Sequence, residues 1–154
     1  MRKTIRVQTE PFDAAAEAAA LTNGRTDIGA LVSFVGLCRD EAGTLAALEL
    51  EHYPGMAEAE LARIAQEAES RWPLLGLTLI HRSGKLLPGE GIVLVLAASA
   101  HRQAAFAAAE FLMDFLKSRA PFWKKEHRAD GTPGLWVEAK DADEAALSRW
   151  RSGD

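Results

Sequence analysis

Residues 101–126 read HRQAAFAAAEFLMDFLKSRAPFWKKE, and this stretch decides the fold. Its apolar side chains recur at spacings of three and four, which predicts a helix with one face against a core. That face is formed by Ala105, Ala108, Leu112 and Phe115. The helix must end near Pro121, because the residue before a proline is biased away from helical geometry. Lys117 therefore lies in the last turn, off the apolar face.

A short aromatic and basic strand follows the proline. Because side chains alternate along a strand, we expect one face to carry Phe122, Lys124 and Glu126. The opposite face should carry Trp123 and Lys125. A lysine at the end of the helix and a lysine on the returning strand can then meet in space.

The start of the same helix offers donors for an anion. His101 and Arg102 lie where free backbone N–H groups and the helix dipole favour negative charge. With the lysines, they could bind a phosphate. Spacing also leaves a structural interpretation open, because a lysine in the last turn complements the helix dipole. A Trp-Lys-Lys-Glu strand is also typical of a solvated face with one packed aromatic residue.

Length and composition describe an ordinary globular protein. The chain has 154 residues, 48% of them hydrophobic and 26% charged, which predicts a single domain spanning residues 1–154. No apolar stretch reaches the roughly 18 residues of a membrane span. The start, MRKTIRVQTEPFD, lacks the apolar core of a signal peptide. We therefore expect a cytoplasmic protein with no membrane partner.

Charge is unevenly distributed along the chain. The net charge is −4, which argues against nucleic-acid binding. Residues 117–128 contain five basic residues and one acidic residue, a local charge of +4, so the rest of the chain carries −8. A basic patch on an acidic body suits a small anionic ligand or an acidic partner.

Cysteine and histidine give little support for a metal or redox site. The single cysteine, Cys38, excludes an internal disulfide and a CxxC pair. The four histidines lack HxxxH or HExxH spacing, so we predict no metal and no cofactor. We expect Cys38 to be a packed residue rather than a nucleophile, because nothing in the sequence indicates a lowered thiol pKa.

The remaining chain alternates strands and helices in the order βα, ββ, α, ββ, α, ββ, α. Strands interleaved with helices and joined by hairpins predict an α+β fold with mixed or antiparallel sheets. The apolar run at residues 27–36, DIGALVSFVG, predicts a strand buried on both faces at the centre of a sheet. SGKLLPGE at residues 83–90 predicts a turn, and His81 before it a structural or surface residue.

Several segments together resemble the large, catalytic subunit of molybdopterin synthase. They are GALVSFVGLCR (29–39), LELEHYPGMAEAEL (48–61), RW with IHRSGKLLPGE (71–90), AHRQAAFAAAEFLMDFLKSRAPFWKKE (100–126) and GLWVEAK (134–140). The segments fall in family order and at family spacing over nearly all of the chain. A match in several blocks is far more specific than any single motif.

This resemblance implies an α/β hammerhead-like fold with an additional small antiparallel sheet. It also implies a homodimer that binds a small ubiquitin-like carrier subunit at each end, giving a heterotetramer. The carrier's C-terminal Gly-Gly tail, activated as a thiocarboxylate, would donate sulfur. The substrate would be cyclic pyranopterin monophosphate (precursor Z), and two transfers would build the dithiolene of molybdopterin for the molybdenum cofactor.

The resemblance also implies site residues by position. Lys117 and Lys124 match the family's active-site lysines. Substrate-binding positions are matched by Phe34, Arg39, His101, Arg102, Lys125 and Glu126. We expect Lys117 to be the principal acid/base group and Lys124 to bind substrate and assist, because fixed positive charge stabilises developing negative charge.

Two other functions remain open at this point. One is a non-catalytic binding module whose basic strand docks an acidic or Gly-Gly-tailed partner protein. The other is a cysteine hydrolase built on Cys38 and a histidine. A sulfurtransferase without a reactive thiol pair needs an external sulfur carrier, which agrees with the leading interpretation.

Overall fold

The computed structural model describes residues 1–40, 42–119, 121–137 and 141–151. Its elements are β1 (Arg2–Gln8), α1 (Ala14–Thr22), β2 (Ala30–Leu37), β3 (Leu45–His52), α2 (Met56–Arg71), β4 (Leu74–Arg82), β5 (Gly84–Leu86), β6 (Gly91–Ser99), α3 (Arg102–Ser118), β7 (Phe122–Arg128), β8 (Pro133–Val137) and α4 (Asp141–Ser148). Helices and two sheets confirm the predicted α+β class. Glu138, the last residue of the predicted final strand, lies outside the described residues.

The first sheet is mixed and carries the main core. Its strand order is β1-β4-β6-β2, with β1 parallel to β4 and the other pairs antiparallel. Apolar side chains of α2 and α3 cover one face, and α1 covers part of the other. The central strands β4 and β6 read as nearly continuous apolar runs because they are buried on both faces.

The second sheet is antiparallel, with the order β5-β3-β7-β8. This confirms the additional antiparallel sheet. Its first strand, β5, was missed: residues 84–86 lie in the segment predicted as a turn. Gly84 adopts φ +87°, a conformation that favours glycine, where the chain leaves β4 and joins the other sheet. A buried cluster of Cys38, Leu48, Leu50 and Leu86 then connects the two sheets.

The prediction that residues 27–36 form a central strand is wrong. β2 lies at the edge of the first sheet and pairs only with β6 among the described strands. Its apolar side chains Leu31, Phe34, Val35 and Leu37 are exposed, Leu37 to 60%. Ile28 and Val32 of the run pack against the buried clusters of the first sheet, whereas the four side chains named above remain exposed. An exposed apolar edge of this size indicates an interaction surface.

The central helix and the first helix form as the sequence predicts. All four side chains of the predicted α3 stripe are buried, whereas Lys117 is exposed in the last turn. Asp13 caps α1, and its carboxylate accepts a hydrogen bond from the Ala16 amide at 3.0 Å. None of the described helices combines the length and apolar character that a membrane crossing requires.

Candidate functional site

Lys124 and Glu126 lie on the inner face of the antiparallel sheet. In the register between β3 and β7, Leu50 pairs with Lys124 and Leu48 pairs with Glu126. Paired residues share a face, and both leucines belong to the buried cluster around Cys38. The predicted alternation along β7 therefore directs Lys124 and Glu126 toward the junction of the two sheets.

Cys38 lies at this junction and is only 3% exposed. Burial raises the pKa of its thiol, and the positive charge of Lys124 opposes that shift only in part. Glu126 is among the carboxylates whose negative charge raises it further. The thiol is therefore protonated at neutral pH, which argues against a nucleophilic role. Arg39 follows directly and is exposed at the end of β2.

Lys117 reaches the same region from α3. Its positive charge contributes to lowering the pKa of His81, whose ring is only 8% exposed at the end of β4. That ring stacks on Phe122 with 3.8 Å between centroids and 13° between planes. Phe122 precedes Lys124 by two residues and shares its face of β7. The His81–Phe122 stack therefore lies at the start of the strand that carries Lys124.

Lys125 lies on the opposite face of the sheet. It pairs with Glu49 on β3 and with Trp136 on β8, and its Nζ is 5.8 Å from the centre of the Trp136 ring. On the same face His127 donates to Glu49 over 2.9 Å, which lowers the pKa of that carboxyl. The structure therefore does not bring Lys125 to the inner face with Lys124.

His101 and Arg102 lie at the other end of α3. His101 is the N-cap residue and makes no side-chain capping bond, and Arg102 begins the helix. Arg102 and Lys117 are fifteen positions apart on this helix, roughly 22 Å along the axis. An open cavity of about 480 Å³ is lined by His101, Arg102, Gln103 and Phe106. Within one chain, the predicted phosphate-binding pair is therefore remote from Lys117.

Phe34 lies in the middle of β2, between its Ala30 end and its Leu37 end. It pairs with Val95 of β6, and Val95 faces the core beneath α3. Phe34 remains 39% exposed because β2 is an edge strand.

No group of three or more histidine, cysteine or acidic side chains that could hold a metal occurs in the described part of the chain.

His81 is a buried residue near this junction, and sequence reasoning had left a surface position open for it. Its burial excludes the surface position considered for it, and its contacts join two sheets. No local pattern could have revealed this, because Phe122 lies 41 residues further along the chain. The only signal was a histidine at the end of a strongly apolar strand.

Burial of His81 makes stability depend on pH. It lowers the ring's pKa from 6.5 to about 4, despite the hydrogen bond to Arg82 that favours the charged form. The unfolded chain binds a proton below about 6.5, so this contribution is fully present above that pH and is lost as pH falls through 4. We expect wild type to lose roughly 2 to 3 kcal/mol more than His81→Phe between pH 7.5 and 4.5.

Urea unfolding of both proteins across that range measures this difference. His81→Phe keeps an aromatic ring at the position and removes the titration. Equal pH dependence in the two proteins would show that His81 is not held neutral by the fold.

Comparisons with known proteins give a consistent result. A family model described as "MoaE protein" matches residues 7–119. The molybdopterin synthase catalytic subunit of Mesorhizobium japonicum is 72% identical over 149 residues, covering 97% of this chain and 94% of that protein. The solved structure of a molybdopterin biosynthesis MoaE protein from Burkholderia ambifaria MC40-6 has 52% identity and a TM-score of 0.82, covering 97% and 98% of the two chains.

A more distant structure shares the fold. It is a protein–protein complex of subunits 1 and 2 of molybdopterin-converting factor from Helicobacter pylori 26695. The matched chain has 21% identity and a TM-score of 0.67, and the match covers 88% of this chain and 90% of that chain.

Proposed function

The chain belongs to the MoaE family, and on that premise we propose that it is the catalytic subunit of a molybdopterin synthase. It transfers sulfur from the thiocarboxylated C-terminus of a small ubiquitin-like carrier to cyclic pyranopterin monophosphate. The observation that supports this most strongly is that the register of β7 directs Lys124 and Glu126 toward the junction of the two sheets, where Arg39 follows the buried Cys38 at the end of β2.

The residue types suit the chemistry. In each transfer a carrier sulfur forms a C–S bond to a side-chain carbon of the pterin, and a C–O bond of the substrate breaks. Water then cleaves the acyl C–S bond, and the carrier leaves as a carboxylate. Sulfur keeps its oxidation state, so no outside oxidant or reductant is required. Cationic side chains stabilise the departing oxygens and the phosphate.

Four of the predicted residues have a role in this scheme within one chain. Lys117, exposed at the helix end, delivers and removes protons at the reacting oxygens. Lys124 holds the substrate anion from the inner face of β7 and assists. Arg39 at the end of β2 contributes further positive charge for the phosphate, and Glu126 extends the inner face beside Lys124.

A second copy of the chain would complete the site. β2 presents an exposed apolar edge, and α3 starts beside its Ala30 end, where the Gly29 amide donates to Ser99 over 3.0 Å. Arg39 follows the opposite end of β2. A two-fold contact with the β2 strands antiparallel therefore brings the partner subunit's His101 and the partner subunit's Arg102 to this chain's Arg39 end. The anion-binding pair and the lysines then share one site.

We propose that the sulfur source is a partner protein. The chain's single cysteine is buried and its thiol pKa is raised, which argues against the chain carrying the sulfur itself. We propose that one carrier binds at each site of the homodimer, giving a heterotetramer, with its Gly-Gly tail in the junction between the sheets. The assembly would act in the cytoplasm, as the sequence predicts.

Reconstitution separates this function from the two alternatives. Purified chain, thiocarboxylated carrier and cyclic pyranopterin monophosphate should yield molybdopterin, whereas a binding module would hold the carrier without product. Cys38→Ser should retain at least about half of the wild-type rate, because no step uses the thiol. Its stability should fall by roughly 1 to 3 kcal/mol, because a hydroxyl replaces a buried apolar thiol.

The product is measured by its dithiolene, and stability by urea unfolding. A loss of product in Cys38→Ser, with the fold intact, would instead support the cysteine hydrolase. Cys38→Ala is the matched variant without a buried hydroxyl.

A further inference from the structure

We propose that Arg149 and Trp150 are positioning residues for the reaction. They engage the carboxylate of Asp114, which leaves the amine of Lys117 free for substrate. This inference rests on the proposed function, in which Lys117 is the acid/base group. It concerns the end of α3, where the chain that follows α4 packs beside the helix.

Asp114 is a competitor for the amine of Lys117. The two residues are three positions apart on α3, and side chains at that spacing are neighbours on the helix surface. Opposite charges at this spacing attract each other. A lysine paired with a carboxylate is held away from a substrate anion, and its charged form is favoured, so it gives up its proton less readily. An unoccupied Asp114 would therefore interfere with the role proposed for Lys117.

In the folded chain, the C-terminal segment occupies the Asp114 carboxylate. The indole Nε1 of Trp150 donates to Oδ2 of Asp114 over 2.7 Å, and Nη2 of Arg149 donates to the same oxygen over 2.8 Å. The Asp114 side chain is only 17% exposed. In the part of the chain that the structure describes, no ion pair joins Asp114 to Lys117, and Lys117 is exposed. The carboxylate is thus directed toward the C-terminal segment.

Trp150 is held in place by contacts that do not involve Asp114. Its carbonyl oxygen accepts a hydrogen bond from Nη2 of Arg71, at the end of α2, over 2.8 Å. Its ring makes edge contacts with the rings of Trp72 and Phe111, with 5.7 and 5.5 Å between ring centroids. Packing against α2 and α3 therefore presents the indole N–H to Asp114 before substrate binds, and this preorganisation costs nothing during the reaction.

The same contacts anchor the C-terminal segment, so the experiment must separate anchoring from an effect on Lys117. A double variant, Arg149→Gln with Trp150→Phe, removes both donors and keeps an aromatic ring at position 150. We expect its kcat for molybdopterin formation to fall by about 2- to 5-fold, the effect of one exposed ion pair, at unchanged carrier affinity. A triple variant that adds Asp114→Asn should return to nearly the wild-type kcat, because the amide carries no charge.

The pH profile of kcat is the second measurement. A carboxylate that is free to pair with Lys117 favours the charged amine, so the profile of the double variant should move to higher pH and that of the triple variant should move back. His81 of β4, whose pKa is about 4, is neutral across this range. Glu110 also loses its contact with Arg149 in the double variant, but it is seven positions from Lys117, roughly 10 Å along the helix axis.

Trp72→Phe is the matched control, because Trp72 belongs to the same aromatic cluster but makes no hydrogen bond to Asp114 in the described structure. Its kcat and pH profile should match those of wild type. A kcat that stays low in the triple variant, or a double variant with unchanged kcat and pH profile, would overturn the inference. An inactive wild-type assembly would instead overturn the proposed function.

A measurement without catalysis covers the case in which the double variant does not fold. Arg149→Gln alone changes an exposed side chain and removes the positive charge from Asp114. In protein with ¹³C-labelled lysine, the Cε resonance of Lys117 should move in Arg149→Gln and return when Asp114→Asn is added. Arg151→Gln, a change of another exposed arginine close by, should leave it in place. A Cε resonance that does not respond to Arg149→Gln would overturn the inference.

Discussion

Replacing Lys117 with alanine should lower the rate of molybdopterin formation by roughly 100- to 1000-fold, the range seen when one preorganised electrostatic group is lost. Carrier affinity should stay unchanged, because a docked carrier buries far more surface than one amine contacts. The fold should also persist: Lys117 is exposed, and its interaction with the helix dipole contributes only about 0.3 to 1 kcal/mol.

The measurement is single-turnover formation of the dithiolene, with carrier binding measured by titration calorimetry. Lys85→Ala is the matched control. Lys85 is an exposed lysine of the antiparallel sheet, where it pairs with Glu49 on the outer face. Full activity in Lys117→Ala would remove the lysine from the mechanism. Lost turnover with retained docking would exclude a pure binding module.

Mixing two inactive chains should restore activity if the site is shared between copies. One chain carries Lys117→Ala, and the other carries His101→Ala with Arg102→Ala. Each variant alone should form molybdopterin at least about 100-fold more slowly than wild type, because each removes positive charge from every site. A mixed dimer contains one intact site of two, and half of the randomly formed dimers are mixed. Recovery should therefore reach about a quarter of the wild-type rate.

The matched control mixes a chain that carries Lys117→Ala with a chain that carries Lys124→Ala. In the proposed dimer, each site takes Lys117 and Lys124 from the same chain. A mixed dimer of these two variants therefore has no intact site, and its rate should not recover. Co-expression gives the random mixture of dimers, and dithiolene formation gives the rate. The mixed dimer purified by two tags should reach about half of the wild-type rate. No recovery in the first mixture, or equal recovery in both, would rule out the shared site.

Local sequence patterns predicted much of the fold. The spacing of apolar residues in 101–118 predicted α3 and the face it buries, because a helix places such residues on one side whatever surrounds it. Alternation after Pro121 predicted which side chains of β7 share a face, and the register with β3 confirms that arrangement. The single domain over residues 1–154 stays a prediction.

Sequence patterns predicted the structure less well where the position of a segment depends on contacts with distant parts of the chain or with another chain. The run in β2 looked like a central strand, because apolar residues indicate burial without saying whether the same chain or another one supplies it. The three residues of β5 were too few to show a period. The predicted alternation already placed Lys125 on the face opposite Lys124, but only the sheet shows that Lys125 lies against Trp136.

The sequence alone determined the α+β class, the helix that ends with Lys117 and the strand that carries Lys124. Only the tertiary structure decided that the buried His81 stacks on Phe122 and that β2 lies at the edge of its sheet. The physical reason is range: helix and strand periodicity arise from neighbours a few residues apart, whereas stacking, burial and strand order depend on contacts between residues far apart in the chain.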